Sequence, residues 1–522
     1  MKAGLVAGVV TCSLFWLSAC TSTKPVSTEQ LVEQGARHWT VLQQDYELVA
    51  QPLSLERALA LGIERNVDFR LRAFDAALAT SNTTLASMSM LPSLTASAGY
   101  TYRDRTAGSF SESVSTGQVS LEPSTSLDSR RLNTSLEMSW NLLDFGVAWY
   151  RTRALADQAH IAEEQRVRML HNVTREIVFA WDMARAYQQY HDEMLEAREL
   201  IRQAMERTDQ LESLRLRDPV LVLDYRRALL LFRQQLNRLL VEMEVAEDEL
   251  SRLLNLPAGY RFAIDEQDDL LSALPMPEAS LQAWQLMGLI NRPEVRAAFY
   301  EQRAADRSAA EKMLQALPAA AFRYGIQTDS NSYMLNNRWQ EGGAQLSWNL
   351  VQLAAYPARR RQARLDKQRA AAAAEMQMTA VLSQVIIAGK QLDVNRENAC
   401  LAQSLRELEA RRLGILVTRQ EQAALDRLTV IRARLDHLLL SLEAEMYRAE
   451  YRRALLALLA SAGLGVTPDV LEANDDDMAA AIRDWITDGL GDRFRLLYEE
   501  VKTSFDLAED DAPAVMSSPA CS

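Results

Sequence analysis

The chain has 522 residues, a formal net charge of −13, and a hydrophobic fraction of 48%. With only 19 Gly and 14 Pro it is neither collagen-like nor wholly disordered, and it is long enough for a large buried core. Residues 466–522 carry 14 acidic and 4 basic side chains, a net charge of −10, so most of the acidity belongs to this C-terminal tail. This balance argues against a nucleic-acid-binding surface, which needs basic patches.

The N-terminus has the pattern of a secretion signal. Lys2 is followed by an apolar run, and Leu17-Ser18-Ala19-Cys20 resembles the bacterial lipobox, in which cleavage occurs before the cysteine. We therefore expect residues 1–19 to be a lipoprotein signal peptide, Cys20 to be the lipid attachment site, and residues 20–52 to be a lipidated linker. Thr21 after the cysteine is typical of lipoproteins of the outer membrane. The alternative is an ordinary signal peptide that happens to contain a cysteine.

Long segments without helix breakers dominate the rest of the chain. Residues 147–218 contain neither Gly nor Pro, and their apolar residues recur at steps of three, four or seven, which predicts a coiled-coil helix of roughly 100 Å. Further helices are predicted over residues 63–91, 220–256, 294–317, 358–388 and 415–462. After the signal peptide no stretch has the roughly 18 apolar residues of a spanning helix, and the longest candidate covers residues 454–466. A membrane-embedded part would therefore have to consist of β-strands.

The helical segments form two copies of one pattern. Leu91-Pro92 recurs 226 positions later as Leu317-Pro318, and residues 139–142 (Ser-Trp-Asn-Leu) recur 208 positions later as residues 347–350. An internal duplication is the simplest explanation of this ordered set. It divides the chain into a first repeat (53–257), a connector (258–279), a second repeat (280–465) and the acidic tail (466–522), in which residues 478–505 are a candidate helix.

Four short segments between the helices alternate with a period of two, as strands do. They cover residues 93–102 and 131–140 in the first repeat and lie near residues 322–327 and 344–348 in the second. Their lengths and their single apolar faces fit transmembrane strands. Arg131, Glu137 and Arg323 fall on the opposite, polar face. Residues 104–129, rich in Ser, Thr and Gly, are predicted to be an exposed loop. The alternative is four soluble strands packed on a helix.

Four strands are too few to close a barrel, and an open sheet edge is not tolerated in lipid. If these strands enter a membrane, several copies of the chain must complete one barrel. Three copies would supply twelve strands and leave a passage. The predicted fold class is therefore mainly α with a small β part: a long α-helical coiled-coil barrel plus four transmembrane strands per chain, which complete a twelve-stranded β-barrel in a trimer.

Residues 53–465 resemble the TolC-like outer-membrane efflux protein family. The resemblance is carried by residues 53–59 (Leu-Ser-Leu-Glu-Arg-Ala-Leu), 91–94 (Leu-Pro-Ser-Leu) and 140–146 (Trp-Asn-Leu-Leu-Asp-Phe-Gly). It implies a homotrimer with a shared barrel in the outer membrane and a helical barrel in the periplasm. It also implies docking on a periplasmic adaptor protein and on an inner-membrane pump or ATP-driven exporter. Family members commonly have Gly-Pro-x-Tyr after the lipidated cysteine; its absence here points to a secretion or specialised export branch.

The resemblance also singles out residues at the predicted periplasmic tip. In the family, carboxylates at this level surround the closed aperture and contact cations. Asp426 matches one of them, whereas Ala423 stands in place of the other. Asp224 holds the corresponding place in the first repeat, and Arg217 and Arg419 would lie near the turn that faces the adaptor. The alternative is that all four are solvated charges near helix starts, where acids are favoured anyway.

No pattern indicates an enzyme, a cofactor or a metal site. The sequence has no phosphate-binding Gly-Lys-Ser/Thr loop and no His-Glu-x-x-His, and its five histidines share no ligand spacing. His160, His171 and His191 are expected at the surface of the long helix. The leading hypothesis is a passive exit duct powered by a partner, and the alternative is a structural periplasmic coiled-coil lipoprotein without a channel.

Overall fold

A computed structural model describes residues 25–44, 52–213, 219–257, 260–265, 279–421, 427–466 and 475–505. Its helices are α1 Thr28–Gln44, α2 Leu55–Arg65, α3 Val67–Met88, α4 Leu142–Ser213, α5 Pro219–Leu253, α6 Leu281–Asn291, α7 Pro293–Leu314, α8 Leu350–Ala354, α9 Tyr356–Glu421, α10 Arg427–Ser461, α11 Asp475–Asp484 and α12 Leu490–Phe505. Its strands are β1 Ser93–Tyr102, β2 Gly108–Ser109, β3 Ser124–Thr125, β4 Arg130–Asn141, β5 Ala319–Asp329 and β6 Arg338–Ser347.

The order of these elements repeats in the two halves of the chain. In each half a short helix and a medium helix lead into two long strands, a long helix and a return helix: α2, α3, β1, β4, α4 and α5, then α6, α7, β5, β6, α9 and α10. The 72 residues of α4 extend about 108 Å at 1.5 Å per residue. The long helix that the sequence predicts is therefore present and begins within a few residues of its predicted start.

Three of the predicted helices have wrong boundaries. The helix predicted over 63–91 is divided at Asn66, whose side chain accepts a hydrogen bond from the backbone N–H of Phe69 (3.0 Å) and so caps α3. The helices predicted over 358–388 and 415–462 are also wrong, because α9 continues from Tyr356 to Glu421 and α10 begins at Arg427. Gly414 does not end α9, since it lies on an exposed face where a single glycine costs only about 1 kcal/mol.

Within the described ranges, the buried core consists of two apolar clusters along the helices. The first joins α2, α6, the ends of α5 and α10 and the C-terminal helices to the middle of α4, where Trp181 is fully buried and donates to the carbonyl of Leu53 (3.2 Å). The second joins α4, α5 and α10 nearer their other ends, around residues such as Met194, Leu236 and Leu442. Burial along both long hairpins holds the repeats side by side.

His171 is buried beside the first cluster, so its expected surface position is wrong. Its side chain packs against Gly465 and Val466, where the chain leaves α10. Burial lowers the pKa of His171 to about 4, although Glu294 acts in the opposite direction. The histidine is therefore neutral in the folded protein at pH 7.

Much of the acidic tail is ordered helix on this core. Instead of one helix over 478–505, the chain forms α11, a π-helical turn over Trp485–Gly489, and α12. Trp485 and Val501 are buried, and Phe494 packs on Trp284 of α6 with ring centroids 5.4 Å apart. Arg483 also pairs with Glu56 of α2. The tail thereby contacts both repeats.

Candidate membrane sheet and helical hairpin ends

The four long strands form one antiparallel sheet in the order β1-β4-β5-β6. β1 matches the predicted bounds, while β4, β5 and β6 are longer than predicted. The two hairpins have the same register, because Ala96 pairs with Leu136 in the first repeat and Phe322 pairs with Ala344 at the corresponding positions of the second. Between the hairpins, Leu136 pairs with Ile326. Residues of the same face are thus neighbours across all four strands.

One face of the sheet is apolar, and it is open to the surroundings. Side chains on this face include Leu94, Leu136, Tyr324 and Leu346, and Leu94 is 68% exposed. In water this exposure would carry a large free-energy cost, because apolar surface is favoured when it leaves water. The face requires an apolar environment.

The other face is polar. Arg131, Glu137 and Arg323 all lie on it, as the alternation predicts, because Glu137 pairs with Gly325 and Ser139 with Arg323 in the register. Glu137, Arg323 and Glu341 line a shallow depression of about 290 Å³. This surface fits contact with water.

The sheet has two open edges. Among the described residues β1 pairs only with β4, and β6 only with β5. The backbone groups along the outer sides of β1 and β6 therefore need partners wherever water is excluded.

Two loops meet at the far end of the sheet. The segment predicted as a loop (104–129) contains the short hairpin β2–β3. Asn331, in the β5–β6 loop, is buried; it donates to the carbonyl of Ser126 (2.9 Å) and accepts from the backbone N–H of Asp128 (3.0 Å). These bonds join the first repeat to the second beyond the strands.

The helices near the sheet form a layer in the same order as the strands. α3 contacts α4, α4 contacts α7, and α7 contacts α9. α4 begins directly after β4, so the helical layer starts at the end of the sheet where β4 finishes. Its two outer helices, α3 and α9, lie below the two open strands.

The two long hairpins end close together at the opposite end of the molecule. The hydroxyl of Tyr225 donates to the carbonyl of Leu428 (2.9 Å), which ties the start of α5 to the start of α10. Arg226 pairs with Asp209 and Glu212 of α4, each at 3.3 Å. Tyr225 and Leu428 were not predicted as part of this end, because an aromatic residue and a leucine near helix starts carry no signature of such a contact.

The predicted tip and anchor residues fall into two groups. Asp224 on α5 and Arg419 on α9 are both exposed at this end. Arg217, Asp426 and Cys20 lie outside the described residues. Their roles stay predictions.

A buried ionic cluster lies between the sheet and the hairpin ends. Arg452 of α10 donates to Asp182 of α4 (2.7 Å), and Glu445 pairs with Arg185 (3.6 Å) and Arg406 (3.2 Å). Burial raises the pKa of Asp182, and the two nearby arginines, Arg452 and Arg185, oppose this rise. Because removing one member would leave a buried charge without compensation, the cluster fixes α4 against α9 and α10.

One helix contradicts the expectation that no stretch after the signal peptide is apolar enough to span a membrane. A window of 18 residues within Tyr356–Gln420 has a mean hydropathy of 1.3, and 17% of the window is buried. The complete helix has 66 residues, about 100 Å, which is far longer than a ~30 Å hydrocarbon core. The window is rich in alanine, which is also typical of helices that pack closely on other helices.

Comparison with known proteins identifies the fold. No family model and no curated protein sequence matches the chain. Among solved structures, the Campylobacter jejuni CmeC outer membrane channel matches with a TM-score of 0.60 at 15% identity, over 82% of this chain and 89% of that one. The outer-membrane channel OprN matches with a TM-score of 0.59 at 18% identity, over 78% and 89%. The Neisseria gonorrhoeae MtrE outer membrane channel gives 0.55, 18%, 78% and 89%.

Proposed function

We propose that this chain, which has the fold of the TolC-like outer-membrane channels, forms with two further copies a passive exit duct through the outer membrane. The observation that carries the proposal is the four-stranded sheet, with one apolar face, one polar face and two unpaired edges. Three such sheets joined edge to edge make a twelve-stranded barrel that is apolar outside and polar inside. The long helices continue this passage for roughly 100 Å beyond the membrane.

The helical end of the duct is the part that fits a partner. Since the chain has no predicted nucleotide site, energy for transport comes from an inner-membrane pump or ATP-driven exporter, which is joined through a periplasmic adaptor protein at the hairpin ends. We place Arg217 and Arg419 near this junction and Asp224 and Asp426 at the aperture. Exposure of Asp224 and Arg419 supports their availability for such contacts.

The anchor in this proposal is a lipid on Cys20. Replacing Cys20 by alanine should abolish incorporation of radiolabelled palmitate, whereas Cys12→Ala, within the signal peptide, should leave incorporation unchanged. Equal labelling of both variants would contradict the anchor. This test of the anchor is independent of the channel, because neither Cys20 nor Cys12 lies in the four strands.

The channel itself is tested by mass and by current. The purified protein should have the mass of a trimer in detergent and should give cation-permeable conductance in planar bilayers. A monomer that carries no current and is released from membranes by carbonate would instead support the coiled-coil tether without a channel.

A further inference from the structure

The first helix, α1, has an exposed apolar stripe along one side. At 100° per residue Val32, Gly35, Ala36 and Trp39 fall on one side, and Arg37 falls on the opposite side, where it pairs with Glu33. Trp39 is 60% exposed and Val32 66% exposed. An amphipathic helix of this kind acquires stability by burying its stripe against a surface.

A groove of suitable character runs between α3 and α4. It encloses about 570 Å³ and is lined mainly by small side chains, among them Ala73, Ala77 and Thr84 of α3 and Ala156 and Ala159 of α4. The lining extends over 12 residues of α3 and 11 residues of α4, about 15 Å of helix. The stripe from Val32 to Trp39 has a length of about 11 Å.

The groove lies on the face of α4 that is already covered, farther along, by the residues that follow α1. Ala159 precedes Ile177 by 18 residues, which is five helical turns, so the two side chains point in the same direction. Ile177 packs against Gly62 of α2, and Trp181 of the same face binds the carbonyl of Leu53. Leu53, where the segment that follows α1 ends, therefore lies below the groove on the same face of α4.

Chain length decides between this groove and the membrane surface as the place of α1. The argument rests on the proposed function, in that it takes the sheet to be in the membrane and Cys20 to be lipidated. Trp181, which donates a hydrogen bond to the carbonyl of Leu53, lies 39 residues after Leu142, where α4 leaves the end of the sheet. This separation is roughly 58 Å along α4. Nine residue steps separate Gln44 from Leu53, and fully extended they span about 31 Å at most. If α1 lay flat on the membrane, this connection would be too short by almost half.

An upright α1 satisfies the same distances. The helix has 17 residues, about 25 Å, and eight steps of up to ~3.4 Å connect Cys20 to Thr28. When Gln44, the last residue of α1, lies about 20 Å above Leu53 on the membrane side, the helix spans the level of Ala156 and Ala159, and the eight steps from Thr28 to Cys20 reach the membrane. We propose that α1 packs lengthwise in the α3–α4 groove of its own chain, parallel to α4, with Gly35 and Ala36 allowing close approach to Ala77.

Disulfide trapping in the membrane-embedded protein tests this packing. The double variant Gly35→Cys/Ala77→Cys should oxidise to a bond within one chain at least about tenfold faster than Arg37→Cys/Ala77→Cys, in which the new thiol lies on the opposite side of α1. A second pair, Val32→Cys/Thr80→Cys, lies about one helical turn farther up the groove, so that the proposal does not depend on one substitution. Cys400 is disulfide-bonded and does not compete for oxidation.

Three results would overturn the proposal. They are equal oxidation rates for the two Ala77 pairs, covalent dimers in place of the bond within one chain, and contact with lipid-phase relaxation agents of a spin label attached to the Gly35→Cys variant. Trimer mass and conductance are measured on the same samples. Conductance without the bond refutes the packing of α1 and leaves the duct intact, whereas the bond without conductance supports the packing and refutes the duct.

Discussion

Replacement of Leu136 by arginine tests whether the apolar face of the sheet is in contact with lipid. Leu136 is near the middle of the 12-residue strand β4, is 45% exposed, and has Ala96 and Ile326 beside it. The strand is about 40 Å long at 3.4 Å per residue, so a tilt of about 45° gives it a height of roughly 29 Å, close to the thickness of a hydrocarbon core. Leu136 then lies near the midplane.

The expected cost follows from this depth. Arginine on the lipid face of a β-barrel is unfavourable by about 2–4 kcal/mol at the midplane. A trimer carries the substitution three times, so the barrel should lose about 6–12 kcal/mol if the three sites act independently. This loss is comparable to the whole stability of an ordinary domain.

The adjacent residue provides a matched control. Ser135 is on the polar face, where its hydroxyl lies 2.7 Å from that of Ser97. Ser135→Arg adds the same charge at the same depth, but towards water, and should assemble nearly as the parent does. The measurement is the heat-resistant trimer fraction in outer membranes, followed by its midpoint of unfolding in urea.

Leu136→Arg should lose most of the trimer fraction. If both variants assembled equally, or if Ser135→Arg were the more damaging, the apolar face would not be in lipid and the sheet would belong to a soluble assembly. A loss seen with Leu136→Arg but absent with Leu136→Met would exclude a general intolerance of substitution at this position.

Three further predictions concern a titration, a packing contact and the aperture. Burial lowers the pKa of His171 to about 4, from about 6.5 in an unfolded chain, so the contribution of the neutral ring to stability is complete above pH 6.5 and falls by about 2 kcal/mol at pH 5. Unfolding midpoints measured from pH 7 to 4.5 should therefore fall less for His171→Asn than for the parent. The exposed-site variant His38→Asn should follow the parent. Gly465→Ala would place a methyl group against the His171 ring and should destabilise the protein by about 1–3 kcal/mol in chemical denaturation. Gly414→Ala, in open space on α9, should instead stabilise it by about 0.5–1 kcal/mol. Equal effects of the two substitutions would show that the contact between Gly465 and His171 does not require glycine. Asp426→Ala should weaken block by added multivalent cations at the periplasmic end in single-channel recordings, and an unchanged block would return this residue to the class of solvated helix-start charges.

The sequence carries the strands and the long helices because both have strong periodic patterns. Alternation predicted β1 with its observed bounds, and the absence of breakers predicted α4. The capping break at Asn66 was missed, since the residues on both sides favour a helix and the break depends on local hydrogen bonding that a breaker count ignores. The pairing of Asp182 with Arg452 was missed because 270 residues separate them, and each is an ordinary polar position on its own helix. The surface prediction for His171 failed for the same reason, because its burial depends on a distant segment at Gly465.

The sheet and the helical layer impose the same requirement on a neighbouring copy. The layer order α3-α4-α7-α9 follows the strand order β1-β4-β5-β6, and only a short link separates α3 from β1 and β6 from α9. A copy whose β1 pairs with the open edge of β6 therefore also brings its α3 beside α9, where the apolar, largely exposed window of α9 lies. Since backbone pairing in the membrane and apolar burial along the helices are satisfied by one rotation of the same neighbour, we expect the two interfaces to form and fail together. A substitution that weakens the α9 contact should accordingly reduce trimer assembly even though it leaves every strand unchanged.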